Sequence, residues 1–284
     1  MSGAASLAPV VVIVDRGGSG AAVRYGAGEA VRTGRALLLV HVAPPGDSWL
    51  QKVGRDSLRL ALSRADAEVI GRTPVRITSL RGGLPETAAL AARAAVVVIE
   101  QIHSGAHRRP VEPPAAALAA VTDTPVVVVP ENWVERHRGV VSVGFDPDAV
   151  DTAALRAAVV LARLRHAVLR VVVAGPATRA AVEDRLAELG GDGCDLAVEL
   201  SLGTPVETLQ AAAASSDLLV LGRHQPPRAD GSRLGHLGSE LLGRVTCPVL
   251  LTVPHHVHPD GIAGHVDGRG TPYDLDYDLP AQAG

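Results

Sequence analysis

The feature that most constrains this 284-residue chain is that it repeats itself. The apolar run VVVIVD (Val10 to Asp15) has a counterpart in VVSVGFD (Val140 to Asp146). A turn and an alanine-rich helical stretch follow each: AAVRYGAGEAVRTG in the first half, TAALRAAVVLARLR in the second. ALLLVHVAPP (Ala36 to Pro45) then lines up with AVLRVVVAGP (Ala167 to Pro176). The offset is 146 − 15 = 131 at the aspartates and 176 − 45 = 131 at the prolines. Further pairs follow: GGLPET (Gly82 to Thr87) with LGTPVET (Leu202 to Thr208), AAVVVIE (Ala94 to Glu100) with DLLVLG (Asp217 to Gly222), and VTDTPVVVVP with VTCPVLLTVP. Such self-similarity is a property of architecture and must be read before any single motif.

Each half reads as β-α-β-α-β-α-β-α-β. Its short, continuous apolar runs suit strands buried on both faces of a parallel sheet. Right-handed crossovers then give an open doubly wound sheet. The expected fold class is α/β, with two tandem Rossmann-like domains, each a five-stranded parallel sheet with helices on both faces. The expected boundaries are a flexible N-terminus over 1–8, a first domain over 9–130, a polar linker over 131–138, a second domain over 139–254 and a disordered tail over 255–284. PVVVV (Pro125 to Val129) and PVLLTV (Pro248 to Val253) are apolar last strands that need cover, so the halves are expected to pair as a pseudo-dimer. Association of two chains is left open.

Composition narrows the function. Hydrophobic residues at 47% can build a large core, while aromatics at 2% leave little for stacking on bases. A net charge of −3 provides no basic field for a polyanion, so nucleic acid is not an expected partner. Two cysteines do not frame a secreted disulfide fold. The start lacks a basic n-region, and no apolar stretch reaches the ~18 residues a membrane helix needs. A cytoplasmic protein with no membrane partner is the expectation.

Two halves that open with an apolar strand ending in Asp and close with a [T/C]-P-V strand resemble the universal stress protein family in its tandem form. The resemblance covers nearly the whole chain except its ends. Its most specific part is GRH…LGSELLGRVTCPVLLTV, which is similar to the family's nucleotide loop, helix and last strand. The family loop reads G-x2-G, nine residues, G-[S/T]. Here Gly222 fits the first glycine, Gln225 stands at the second, and twelve residues (226 to 237) precede Gly238. The resemblance implies a regulatory protein that binds ATP or another adenine nucleotide and is read by a protein partner. It places Asp146 near the adenosine and the backbone of Val173 against the adenine. Gly222, Gly235, Gly238, Ser239 and Glu240 fall on the loop and helix that take the phosphates, with Arg223 and Arg233 as sources of charge.

Elementary physics supports that placement. Asp146 and Gly222 end two strands expected to flank the point where strand order reverses, which is where doubly wound sheets hold ligands. Gly238-Ser239 is expected to open a helix whose unpaired N–H groups attract an anion, an effect of about 0.3–1 kcal/mol when exposed. The same residues also fit a plain reading, with Ser239 as an N-cap, Gly222 and Pro226-Pro227 as loop punctuation, and Asp146 as a cap. A nucleotide-free interaction scaffold is therefore the alternative. No nucleophile, metal-ligand or kinase signature is present, so no catalytic residue and no metal site is expected, and a weak ATPase lacks a general base. His224 and His236 flank the loop, and His255, His256, His258 and His265 cluster in the tail; both groups read as solvated histidines.

The first half reads as switched off. Glu100 stands at the Gly222 position and Ala115-Ala116 at the Gly238-Ser239 position. A carboxylate about 4 Å from a phosphate charge repels it by roughly 4 kcal/mol at an effective dielectric of 20. RGGSG (Arg16 to Gly20) lacks the lysine of a phosphate loop.

Overall fold

The computed structural model describes residues 7–46, 48–101, 115–146, 152–175, 177–189, 193–223 and 236–252. The first half runs β1 (Val10–Ile13), α1 (Gly20–Thr33), β2 (Leu37–Ala43), α2 (Ser48–Val69), β3 (Val75–Arg81), α3 (Leu84–Ala91), β4 (Val96–Gln101), α4 (Ala115–Val121) and β5 (Val126–Pro130). The second runs β6 (Val140–Gly144), α5 (Ala153–Arg165), β7 (Val168–Ala174), α6 (Arg179–Glu188), β8 (Leu196–Ser201), α7 (Pro205–Ala214), β9 (Leu218–Gly222), α8 (His236–Leu242) and β10 (Val249–Thr252). The apolar runs become strands and the alanine-rich stretches become helices. Local signals set the ends. Gly34, at φ 65°, closes α1 with N–H bonds to Ala30 and Val31, while Thr204 accepts the Glu207 N–H at the start of α7, with Pro205 following.

All ten strands form one sheet in the order β3-β2-β1-β4-β5-β10-β9-β6-β7-β8. Within each half every pair is parallel, and β5 meets β10 antiparallel through Val126↔Leu251, Val127↔Leu250 and Val128↔Val249. Strand order reverses between β1 and β4, and again between β6 and β9. The fold is thus two tandem doubly wound α/β units. Helices on one face pack over Val10, Val12, Val127, Val141, Val143 and Leu250, and those on the other over Val11, Val97, Val128, Leu219 and Leu251. Both cores run through the β5–β10 seam. Gly26 lets α1 lie close to the sheet, because a Cβ there would come within 2.4 Å of the Val12 side chain. Among the described residues, no helix is long and apolar enough to cross a membrane.

The repeat is not quite constant. Val14 donates to Val40 as Phe145 donates to Val172, so β1 maps to β6 by 145 − 14 = 131 but β2 to β7 by 172 − 40 = 132. The helix ends agree: Arg35 donates to Ala30 and Ala167 to Ala162, again an offset of 132. One extra residue therefore lies between Phe145 and Ala162. It corrects the alignment of Ala36–Pro45 with Ala167–Pro176 by one position and makes His41 the counterpart of Val173. Hydrophobic pattern alone is insensitive to this slip, because both strands are apolar along most of their length, with His41 in β2 and Arg170 in β7 at positions that do not match.

Two buried charge systems cross the seam. On one face, the Arg165 guanidinium of α5 donates to the Tyr25 hydroxyl and the Glu29 carboxylate of α1, each at 2.8 Å. Arg32 pairs with the same Glu29 oxygen, and Tyr25 meets Trp133 edge-on at 5.7 Å. On the other face, Arg223 donates to the carbonyls of Thr122 (2.8 Å) and Thr124 (2.7 Å), to that of Ala119, and to that of Thr252 (3.0 Å). Arg223 is only 3% exposed. Removing a donor from buried carbonyls leaves each of them without its partner, at about 1–3 kcal/mol per group. Arg223→Met keeps the apolar stem, so urea unfolding of this variant is expected to show a loss of about 3 kcal/mol; a loss below about 1 kcal/mol would show that the carbonyls find other donors.

Candidate functional site

Each half has a crevice beyond the carboxyl ends of its two central strands, β1 and β4 in the first, β6 and β9 in the second. In the first half the crevice is filled from within. Glu100, near the end of β4, accepts the N–H groups of Ala21 (2.8 Å) and Ala22 (3.1 Å) at the start of α1. These are two of the donors that a helix N-terminus leaves without intrahelical partners, so a side-chain carboxylate occupies the place open to an external anion. The connecting loop is tight. Gly17 and Gly18 have φ of 82° and 81°, Ser19 follows in the left-handed region, and the Ser19 hydroxyl accepts the Asp15 N–H at 2.8 Å. Arg64 of α2 reaches over to the Gly17 carbonyl at 2.9 Å, and Arg16 lies over the Trp49 ring at 5.1 Å.

Burial raises the Glu100 pKa above the usual carboxyl value, against the lowering effect of the Ala22 and Ala21 N–H bonds; the charge of Glu131 adds to the rise and that of Arg64 opposes it. Desolvation outweighs the helix end here.

The second half differs at one decisive position. Glu100 pairs with Val129 on β5 as Gly222 pairs with Thr252 on β10, so Gly222 is the structural counterpart of Glu100. Gly222 is exposed, and among the described residues a Cβ placed on it would meet only the Ala154 Cβ, at 3.7 Å. Ala154 in turn corresponds to Ala22 by the offset of 132. Where the first half holds a carboxylate against the helix, the second holds a glycine.

The sequence-predicted residues divide into several groups. Asp146 is exposed just past β6, adjacent to β9 and Gly222 in the sheet order, so these two flank one crevice. Val173 lies at the end of β7 with its side chain in the core, in register with Leu200. Gly235, Arg233, His224 and the rest of the loop 224–235 lie outside the described residues, as do 147–151 and the tail histidines. Gly238 and Ser239 do not open α8: the helix begins at His236, and they fall within its first turn. Glu240 is half-buried and pairs with Arg244 at 2.8 Å along the helix. Arg223 corrects the expectation most clearly, since its guanidinium is turned into the seam between the halves. Four carbonyls there outcompete solvent for a planar, always charged donor. Among the described residues no group of three His, Cys, Asp or Glu side chains is placed to hold a metal. Cys247 is buried, and burial pushes its thiol up to about 12, as an unreactive core residue requires.

Sequence reasoning placed Glu100 at the phosphate position but missed its role as the cap of α1. The signal was available: one half carries an acidic residue where the other carries glycine, one strand away from an uncapped helix start. Arg64 gave no signal, since nothing in its helix pattern marks a loop contact.

Neither a family model nor a curated protein matches the chain. Solved structures do. A universal stress protein from Archaeoglobus fulgidus aligns over 86% of this chain and 96% of its own, at 12% identity and a TM-score of 0.67. A putative universal stress protein from Pseudomonas aeruginosa aligns over 87% and 94%, at 18% identity and a TM-score of 0.60. A functionally unknown protein from the same organism covers 87% and 93%, at 16% identity and a TM-score of 0.59. The chain has the fold of the universal stress proteins in tandem, two-domain form.

A raised carboxyl pKa means that Glu100 binds its proton more tightly folded than unfolded. Its contribution to stability is fully present below the unfolded value of about 4.5 and is lost as pH rises through the higher folded value. The stability difference between wild type and Glu100→Gln, followed by urea unfolding across a pH series, is expected to shift against wild type as pH rises above about 4.5. Parallel profiles would show that burial does not dominate at this carboxyl.

Proposed function

We propose that the chain is a universal-stress-type regulatory protein in which the domain over 139–254 binds an adenine nucleotide, with ATP as the first candidate. The domain over 9–130 binds none and serves as the fixed partner of a pseudo-dimer. The nucleotide lies in the crevice between β6 and β9. Asp146 is at the sugar, the end of β7 at Val173 faces the base, and Gly222 admits the phosphates toward the first turn of α8, where Gly238, Ser239 and Glu240 follow Gly235. A protein partner reads whether the crevice is filled; no chemical step is assigned. The observation that carries this reading is the exchange of Glu100 for Gly222 at one and the same register position. A phosphate approaching Gly222 meets no side chain at that register position, whereas in the first half it meets a carboxylate already seated on a helix end.

A second reading is favoured by a different observation. Arg223, the cation next to Gly222, is spent on the seam, and the chain then acts as a scaffold of the same fold without nucleotide.

Gly222→Glu separates the two. Among the described residues a Cβ at this position is in ordinary contact with Ala154 alone, so the variant is expected to keep the wild-type melting temperature. Its carboxylate repels a phosphate by roughly 4 kcal/mol at 4 Å and an effective dielectric of 20. Equilibrium binding of labelled ATP is expected to show wild-type affinity tighter than about 1 mM and a loss of at least about tenfold in the variant. A wild-type protein that does not bind, or a variant that binds as well as wild type, would leave the scaffold reading.

A further inference from the structure

We infer that the face joining the two halves is built one way round: the second half presents Arg165, the first presents the Glu29 carboxylate and the Tyr25 hydroxyl that receive it, and the face thereby selects a first-half-type partner and rejects a copy of itself.

The backbone alone makes no such choice. By their shared T-P-V and C-P-V starts, Val127 and Leu250 are counterparts (250 − 127 = 123), and they pair with each other at the centre of the β5–β10 ladder. Val126 pairs with Leu251, the counterpart of Val128, and Val128 pairs with Val249, the counterpart of Val126. The ladder is therefore symmetric about its middle pair. Two first halves or two second halves could form it with the same hydrogen bonds and equally apolar side chains. Isologous pairing of this kind is the commonest route to dimers.

The side chains break that symmetry. At the offset of 132, Glu29 of α1 corresponds to Leu161 of α5, Tyr25 to Ala157 and Arg165 to Thr33. At the β4–β9 offset of 222 − 100 = 122, Arg223 corresponds to Gln101. Neither Glu29 nor Arg165 has a like charge or its own partner at the matching position, whereas Arg223 donates to backbone carbonyls, which either half can supply, and makes no such choice. If two second halves met, each Arg165 would face the partner's Leu161 and Ala157, with no carboxylate or hydroxyl to receive it. If two first halves met, each Glu29, which is fully buried, would keep only the Arg32 of its own helix and lose the cation that crosses the seam. A buried charge stripped of its partner is strongly unfavourable, whereas a correctly paired one adds little stability over an apolar pair. The pair therefore discriminates between partners more than it strengthens the right one.

The test uses the full chain refolded from denaturant, with mass read by light scattering and stability by thermal melting. Wild type is expected to return as one species. Arg165→Met alone is expected to lower the melting temperature, because Glu29 stays behind. Glu29→Leu combined with Arg165→Met is expected to melt near wild type yet refold to a concentration-dependent mixture, with weight-average mass at least about twofold higher as halves pair between chains. A gain-of-symmetry variant, Thr33→Arg with Leu161→Glu, supplies each half with both charges and is expected to associate in the same way. The inference is overturned if the Glu29→Leu/Arg165→Met chain refolds to the wild-type species and the second variant also keeps wild-type mass. It is equally overturned if removing both members of the pair prevents folding, since the pair would then carry stability and not partner choice.

Discussion

Three residue pairs between β5 and β10 hold this molecule in its form. Without them each half would end in an edge strand of uninterrupted valine and leucine, a template for unwanted pairing. With them the two sheets become one, and both hydrophobic cores pass through the join. Arg223 secures it on one face, and Glu29 with Arg165 on the other. The antiparallel sense of the pairing also turns the two crevices toward opposite ends of the sheet. Each half can therefore change at its crevice without disturbing the other's.

The halves have used that independence. Topology places a strand-order reversal in each half and a helix start beside it. In the first half the opening is consumed by the protein itself: Glu100 caps α1, Arg64 closes over the glycine loop, and Ser19 fixes the turn. In the second half the residue at the Glu100 position has no side chain. A single register position thus separates the two crevices: a carboxylate seated on a helix start in one, a glycine in the other.

Much of this was legible in the sequence, for physical reasons. Parallel strands buried on both faces are forced to be apolar throughout, so VVVIVD, ALLLVHV and VVVVP announce themselves. Repetition of the whole series leaves little choice of fold. Other features left no trace in pattern. The extra residue before α5 is invisible because sliding one apolar strand by one position yields another apolar strand; the strand pairing of Phe145 with Val172 and the helix-end bond of Ala167 to Ala162 reveal it. Arg223 reads as a loop cation beside a glycine, and nothing local says that three carbonyls from across the seam, with that of Thr252, will claim it. Glu29 and Arg165 lie 136 residues apart, each an ordinary charge on an alanine-rich helix until the sheet brings the helices together. The start of α8 is ambiguous for a different reason: glycine and serine both suit a helix boundary, yet the turn begins at His236.

The central claim is that one crevice is closed by the chain's own carboxylate and the other is open. Titration calorimetry of the full-length protein with ATP reads that claim as a stoichiometry. One nucleotide per chain is the predicted result. Two per chain would mean that Glu100 does not exclude a phosphate, and none would mean that Gly222 does not admit one.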